Sequence, residues 1–138
     1  MTAGPVPLAT PLTAPYWEGA KRRELWVQQC HSCGRHYFFP RPSCRYCFST
    51  EVGWTVTSGR ASLASYIINA RPMPSFRTTD PQVIALVDLE EGPRMLTNVI
   101  GVEPDPGCLK LGMALQVDFV QRGEMALPVF RPRVEVSQ

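Results

Sequence analysis

Four cysteines in two close pairs are the residues of this sequence best suited to chemistry. Two residues separate Cys30 from Cys33 and Cys44 from Cys47, and ten residues separate the pairs. Thiolates are good zinc ligands, and a two-residue spacing allows one tight turn to direct both sulfurs at the same ion. Four sulfurs complete a tetrahedral site, so no position remains for water or substrate. The spacing therefore predicts a structural metal site rather than a catalytic one.

Two alternatives use the same four cysteines. Iron is bound by four thiolates in rubredoxin-type sites, so the ligands alone do not separate it from zinc, which we favour. Two structural disulfides would require an oxidising compartment. The N-terminal residues lack the basic and apolar segments of a secretory signal peptide. No run approaches the ~18 apolar residues of a membrane span. The sequence thus predicts a cytoplasmic protein that does not cross a membrane.

The elements around the cysteines are predicted to form a small metal-binding module. A helix is expected from Ala14 to about Glu24, with Pro15 in its first turn, where a missing N–H costs little. So short a helix must dock on another surface, which is either this module or a partner protein. Strands are expected at residues 25–29 and 52–57, before and after the two cysteine pairs.

From residue 60 onward, β-branched and aromatic runs alternate with turns. Five strands are predicted there without a helix, at residues 62–68, 83–89, 94–100, 115–120 and 127–130. Five strands in this order fit a small closed barrel of the OB type. We predict a mainly β fold in three parts: a disordered leader over residues 1–13, an N-terminal helix with a four-cysteine ribbon over 14–58, and an OB-fold barrel over 59–138.

Charge is distributed unevenly along the chain. Residues 1–60 carry seven basic and three acidic side chains, whereas residues 61–138 carry seven basic and nine acidic ones. A nucleic-acid-binding domain usually concentrates basic residues on one face. The acidic balance of the predicted barrel counts against that class of function.

The order of motifs resembles a family of accessory proteins of thiolases and related acyl-CoA enzymes. The matching motifs are Pro15-Tyr16-Trp17, Cys30 to Gly34, Pro40-Arg41, Cys44 to Cys47, Ser58-Gly59, Val83 to Gly92, Leu111-Gly112-Met113 and Phe130-Arg131-Pro132. The resemblance covers about residues 14–133 and departs from the expected pattern at Ala61, where a second glycine is expected. It implies a rubredoxin-like zinc ribbon followed by a C-terminal OB fold.

The resemblance also implies a function. The chain would be a non-catalytic accessory subunit that binds a thiolase-like enzyme as a hetero-oligomer and helps to form its acyl-CoA site. An aldolase that cleaves the side chain of a steroid acyl-CoA is the favoured partner. The alternative is a single-stranded nucleic-acid-binding protein that uses the OB face. A stand-alone enzyme ranks third, because the sequence offers no nucleophile with a base and no open metal site.

The best candidate for ligand contact is the segment from Arg71 to Pro81. Three prolines exclude a helix there, and long connections without secondary structure are often functional. Arg71 or Arg77 would meet a pyrophosphate, and Phe76 an adenine ring or a partner pocket. The alternative is a solvated connection without a role.

No set of residues in the sequence predicts catalysis. Cys108 is the remaining thiol and has no histidine near it in sequence, so we expect a small, buried and unreactive side chain. Asp88, Glu90 and Glu91 end a predicted strand beside a turn, where a solvated hairpin tip is expected. We therefore predict no catalytic residue.

Overall fold

The computed structural model describes residues 10–38, 40–69, 81–122 and 124–133. One helix precedes eight strands: α1 (Ala14–Lys21), β1 (Trp26–Cys30), β2 (His36–Tyr37), β3 (Val52–Val56), β4 (Arg60–Asn69), β5 (Gln82–Leu89), β6 (Arg94–Val99), β7 (Ala114–Arg122) and β8 (Met125–Pro132). The predicted mainly β fold with one N-terminal helix is confirmed. Most of the predicted leader, residues 1–9, lies outside the described residues, and the domain boundary at residue 58 stays a prediction.

Helix α1 ends at Lys21, three residues before the predicted end. The N–H of Arg23 donates to the carbonyl oxygen of Ala20 at 2.9 Å, and the N–H of Glu24 donates to that of Gly19 at 2.8 Å. This pair of bonds is the Schellman ending of a helix, in which the turning residue has a positive φ. Arg23 holds that position with a φ of 62°. Sequence reasoning missed the end because glycine, not arginine, usually marks it. No helix of the described residues is long and apolar enough to cross a membrane.

Helix α1 docks on the chain's own ribbon and barrel. The Tyr16 ring is buried and meets the rings of Trp17 and Phe38 edge-on, with centroids 4.8 Å and 5.6 Å away. Gly19 permits a close approach to β1, because a Cβ there would collide with the ring of Trp26. Tyr16 belongs to the same buried cluster as the barrel core. Of the two docking surfaces expected for this helix, the structure shows the internal one.

The ribbon is a three-stranded antiparallel sheet with the order β2-β1-β3. Gln28 is buried in the central strand. Its amide oxygen accepts a hydrogen bond from the N–H of Arg41 at 2.6 Å, and its amide nitrogen donates to the carbonyl oxygen of Arg41 at 3.0 Å. These two bonds fix the segment that leads to the second cysteine pair against the first strand.

Strands β4 to β8 form the predicted five-stranded closed barrel, in the order β4-β5-β6-β8-β7. All pairs are antiparallel except β6 with β8, where Val99 lies opposite Phe130. The register of β4 against β5 shifts between Leu63 and Ser65. Such a bulge bends a strand, and here it lets the first part of β4 pair with β7 and close the barrel.

The barrel encloses an apolar core from all five strands: Ala61, Leu63, Val83, Ala85, Val87, Leu89, Met95, Val99, Leu115 and Phe130. Ala61, where the family pattern led us to expect glycine, places its methyl group in this core. Leu25 and Val27 of the ribbon join the same cluster. The base of the ribbon is therefore packed on the barrel, and this contact fixes how the two modules face each other.

Asp118 on β7 joins the end of α1 to the barrel. Its carboxylate pairs with the guanidinium groups of Arg23 and Arg131, and it accepts a hydrogen bond from the N–H of Phe119 at 2.8 Å. Burial raises the pKa of Asp118, but the bonds from Phe119 and Arg131 and the two positive charges outweigh burial and lower it below its usual value. The carboxylate is thus held in its charged form.

Candidate metal centre and surrounding surfaces

The two cysteine pairs lie in turns of the same shape. In the first turn, the N–H of Gly34 donates to the carbonyl oxygen of Cys30 at 2.9 Å, and in the second the N–H of Phe48 donates to that of Cys44 at 3.0 Å. Both turns end in a residue with a positive φ, 79° at Gly34 and 63° at Phe48. Glycine adopts this conformation without strain, whereas a phenylalanine there is an outlier.

The four predicted ligands, Cys30, Cys33, Cys44 and Cys47, are brought together, and their sulfur atoms all lie within 4.8 Å of one another. The Sγ atoms of Cys30 and Cys47 are 3.6 Å apart, and those of Cys33 and Cys44 are 3.7 Å apart. A tetrahedral zinc with Zn–S bonds of about 2.3 Å places neighbouring sulfurs about 3.8 Å apart. All these cysteines are free, so the arrangement fits one metal ion and not two disulfides.

The ribbon backbone prepares the first sulfur for a metal. The N–H groups of Cys33 and Ser32 point at Cys30 Sγ, and despite burial they lower the pKa of this thiol from 9.0 to about 6. Cys47 behaves in the opposite way. The N–H of Ser49 lowers its pKa, but the neighbouring sulfurs and burial raise it to about 11. Because crowded sulfurs oppose further loss of protons, a dication that replaces those protons would relieve this opposition.

The other candidates from the sequence have different outcomes. Arg71, Phe76 and Arg77 lie outside the described residues. Cys108 is exposed, so the expectation of a buried side chain is wrong. The turn that holds it buries its neighbour Leu109 instead.

The three carboxylates at the end of β5 have structural partners. These partners are Arg94 for Asp88, Arg60 for Glu90 and the N–H of Ser58 for Glu91. The hydrogen bond from Arg94 lowers the pKa of Asp88 below its usual value. The carboxylates therefore stabilise the turn and its junction with the ribbon rather than forming an acid–base pair.

The outward face of strands β4, β5 and β6 carries four large aliphatic side chains beside polar ones such as Ser65 and Asn98. Ile67 lies opposite Ile84, and Leu86 lies opposite Leu96. Ile67 and Leu96 are 62% and 61% exposed. We call these four side chains the aliphatic face. Sequence reasoning missed it, although the signal was present: the run over β5 is apolar at nearly every position, as in a strand that is covered on both sides.

A cavity of about 640 Å³ lies between the ribbon and the turn that joins β5 to β6. The ribbon contributes Tyr37, Arg45 and Tyr46 to its walls, and the barrel contributes Asp88 and Arg94. We call this cavity the ribbon–barrel cleft. Its walls come from sequence positions far apart, so no local motif predicts it.

Comparison with known proteins agrees with this architecture. A family model described as the ChsH2 rubredoxin-like zinc ribbon domain matches residues 17–53, and one described as the ChsH2 C-terminal OB-fold domain matches residues 54–120. A chain from the solved structure of the Ltp2-ChsH2(DUF35) aldolase is 35% identical, with a TM-score of 0.80 over 94% of this chain and 100% of that one. This chain belongs to the ChsH2 (DUF35) family. The family resemblance predicted from the motifs is confirmed.

Two curated relatives are longer than this ChsH2-family chain. A probable enoyl-CoA hydratase alpha subunit of Thermomonospora curvata is 37% identical over 121 residues, which cover 86% of this chain and 37% of the relative. The 3-oxo-4,17-pregnadiene-20-carboxyl-CoA hydratase alpha subunit of Mycobacterium tuberculosis is 33% identical over 120 residues, 87% of this chain and 37% of that protein. The chain thus spans little more than a third of the length of each.

Proposed function

We propose that this chain is a non-catalytic accessory subunit that binds a thiolase-like acyl-CoA enzyme and helps to form its acyl-CoA site. The observation that carries the proposal is the match along the full length of a chain from the Ltp2-ChsH2(DUF35) aldolase. The favoured partner is an aldolase that cleaves the side chain of a steroid acyl-CoA. The pregnadiene carboxyl-CoA in the name of the M. tuberculosis relative supports that substrate class.

In this proposal the metal is a structural zinc held by the four cysteine sulfurs. Their spacing fits tetrahedral coordination, and the four thiolates leave no position open for substrate. The zinc fixes the ribbon, and the ribbon with α1 is packed on the barrel. The chain thus presents a preformed surface to its partner and contributes by shaping the site and excluding water, while the partner supplies the reacting groups.

The aliphatic face is the surface we propose for contact with the enzyme. Ile67 on β4 and Leu96 on β6 are exposed on either side of β5, and covering them with another protein would remove their apolar surface from water and stabilise the complex. Single-stranded nucleic acid would instead need aromatic rings and free cations on this face. Its four members are aliphatic, and the nearby Arg94 is already paired with Asp88. The face therefore favours a protein partner over the nucleic-acid alternative.

A pull-down with two matched variants tests the proposal. Leu96→Glu places a charge on the aliphatic face, whereas Leu111→Glu places one on a leucine that is 68% exposed outside it. The wild-type chain and Leu111→Glu should retain a stoichiometric thiolase-like enzyme from the native extract, identified by mass spectrometry, and Leu96→Glu should lose it. Recovery of nucleic acid alone, or of nothing at low salt, would contradict the accessory role. If Leu96→Glu still retained the enzyme, only the proposed contact surface would be rejected.

Contact of Arg71, Phe76 and Arg77 with acyl-CoA or the partner is part of the same proposal. Replacing Arg71 and Arg77 together with alanine should weaken complex formation or acyl-CoA turnover. If both stay unchanged, the segment has no role in either.

A further inference from the structure

We propose that the second cysteine turn anchors the partner enzyme through the exposed ring of Phe48, which enters an apolar pocket rimmed by carboxylates on that enzyme. This inference rests on the proposed function for the identity of the partner. It deepens that function, because it adds a second contact surface to the aliphatic face. The surface consists of Arg35, Arg45, Tyr46 and Phe48, and we call these four side chains the arginine–aromatic patch.

Phe48 is held in a backbone conformation that its side chain disfavours. Its φ is 63°, and a bulky residue with a positive φ is an outlier, whereas glycine fills the corresponding position of the first turn. The Phe48 side chain is 78% exposed, more than any other large apolar side chain of the described residues. Packing within the chain therefore does not offset the strain. Strained residues concentrate at sites that clamp a ligand or partner, so we expect this ring to make its contacts with another molecule.

The patch is already assembled in the isolated chain. The hydroxyl oxygens of Ser32 and Ser49 lie 2.8 Å apart and join the two cysteine turns side by side. Arg35 follows the first turn, and its Cζ lies 4.8 Å from the ring centroid of Tyr46 in the second turn. The Cζ of Arg45 lies 5.3 Å from the same centroid. Because these side chains are positioned before binding, association loses less conformational entropy.

The charge of the patch indicates the chemistry of the partner. Arg35 and Arg45 are exposed, and neither forms an ion pair with a carboxylate of the described residues. Two uncompensated cations beside an exposed ring match a partner that places carboxylates around an apolar pocket. Aromatic and arginine side chains are enriched among the residues that anchor protein interfaces. A second copy of this chain fits poorly, because a symmetric contact between two patches brings like charges together.

Single-stranded nucleic acid is the other class of partner that uses rings and cations. Such sites stack successive bases on several rings. Here the guanidinium groups of Arg35 and Arg45 lie over the ring of Tyr46, which leaves Phe48 as the uncovered ring of the patch. Residues 61–138 also carry nine acidic and seven basic side chains, which would repel a phosphate backbone. The patch therefore favours a protein partner.

The patch lies on the side of the barrel that carries the aliphatic face. Alternate residues of a strand point to the same side, so Asp88 shares the outward side of β5 with Leu86, and Arg94 shares that of β6 with Leu96. Asp88 and Arg94 line the ribbon–barrel cleft, and Tyr46 lines its ribbon wall. Stable interfaces bury about 800 Å² on each partner, more than four aliphatic side chains expose. An enzyme that covers the aliphatic face and continues past the cleft would reach Phe48.

Biolayer interferometry with the purified thiolase-like enzyme from the pull-down tests the proposal, with the full zinc-loaded chain immobilised and no acyl-CoA present. Phe48→Gly should weaken binding about tenfold or more, because it removes the anchoring ring. Its thermal unfolding temperature should stay at or above the wild-type value, because glycine adopts a positive φ without strain. Phe48→Leu keeps an apolar side chain and should bind more tightly than Phe48→Gly. Leu111→Ala removes an exposed apolar side chain outside the patch and should bind as the wild type does.

A charge reversal tests the carboxylate rim. Arg35→Glu should weaken binding about tenfold at low salt, and the difference from the wild type should shrink at high salt, since ions screen exposed charges. Lys110→Glu is the matched control, because Lys110 is an exposed cation outside the patch, and it should have little effect. Equal losses in the two variants would show that net charge, and not the patch, determines binding.

The outcomes separate this proposal from the accessory role. If Phe48→Gly bound the enzyme as the wild type does, the patch would be rejected while the accessory role stood. A loss of binding together with a lower unfolding temperature would also reject it, because Phe48 would then act through the fold. If the wild-type chain captured no thiolase-like enzyme, both the accessory role and the patch would be rejected. Filter retention of single-stranded nucleic acid at low salt, lost in Phe48→Gly, would reassign the patch to nucleic acid and overturn the proposal.

Discussion

The barrel buries ten side chains from five strands around one apolar core, whereas the ribbon's separate cluster consists of Cys30, Tyr37 and Cys44, with Val52 packed beside it. Two of those three buried residues are proposed metal ligands. A module this small cannot bury enough apolar surface to offset the entropy of ordering its chain. The difference teaches that the barrel is stabilised by its core and that the tip of the ribbon depends on its metal.

The largest expected effect follows from removing the metal. Structural zinc in small modules contributes roughly 10–16 kcal/mol at pH 7, which is coupled to folding. Cys44→Ser, or a strong chelator, should therefore abolish hydrogen-exchange protection at the tip of the ribbon, in β2 and in the ends of β1 and β3 beside the cysteines, and leave it in β4 to β8. Cys108→Ser is the control, because this thiol is exposed outside the cluster, and it should change neither region. If the ribbon kept its hydrogen-exchange protection without metal, the claim that the ribbon depends on its metal while the barrel depends on its core would be wrong.

A smaller effect is expected at Asp118, which ties the helix to the barrel. Asp118→Asn should lower the free energy of unfolding by about 1–3 kcal/mol at pH 7, since it removes charge-assisted hydrogen bonds from two arginines. Folding lowers the pKa of Asp118 below its unfolded value of about 3.9. The stabilisation that the Asp118 carboxylate gives to the folded state is therefore fully present above that pH, and it is lost as the pH falls through the folded-state pKa.

Urea unfolding at pH 7 and again near pH 3 measures this contribution. The difference in free energy of unfolding between the wild type and Asp118→Asn should be smaller at the lower pH. Glu18→Gln, an exposed carboxylate on α1, is the control and should show little change at either pH. A larger difference in free energy of unfolding at the lower pH would show that the Asp118 carboxylate does not stabilise the contact between α1 and the barrel.

The smallest effect is expected from substitutions at the residue with a positive φ that ends each cysteine turn. Phe48 occupies the position that Gly34 occupies in the first turn, yet it is 78% exposed and gains little from packing. Phe48→Gly should raise the free energy of unfolding of the zinc-loaded chain by about 1 kcal/mol, because it removes a strained left-handed residue. Gly34→Ala should lower it by about the same amount, since φ is 79° and no atom lies near the new Cβ. If both variants raised the free energy of unfolding, or both lowered it, the two turns would not have the same conformational requirement at this position.

The features that the sequence predicted well depend on residues that lie close together along the chain. The spacing of Cys30, Cys33, Cys44 and Cys47 predicts the cluster because each pair is held in one turn of the chain. The strands of the barrel follow from runs of β-branched and aromatic residues. The number and order of the predicted strands indicated a closed barrel of the OB type after the ribbon, and the family resemblance implied the same arrangement.

The features that sequence reasoning missed depend on packing between distant residues. The Arg23–Asp118 pair joins residues 95 positions apart, and the ribbon–barrel cleft is lined by both Tyr46 of the ribbon and Arg94 of the barrel. The apolar run of β5 indicated a strand covered on both sides, but the described residues leave part of its outward face exposed, beside Ile67 and Leu96. Cys108 was misjudged because residue type alone does not determine which side of a turn faces the core.

The most direct test of the accessory role is turnover of a steroid side-chain acyl-CoA by the enzyme recovered in the pull-down. It would be measured with the enzyme alone, with this chain alone and with both together. The account predicts carbon–carbon bond cleavage when both are present, and little or none with either one alone. Full activity of the enzyme without this chain, or cleavage by this chain alone, would contradict it.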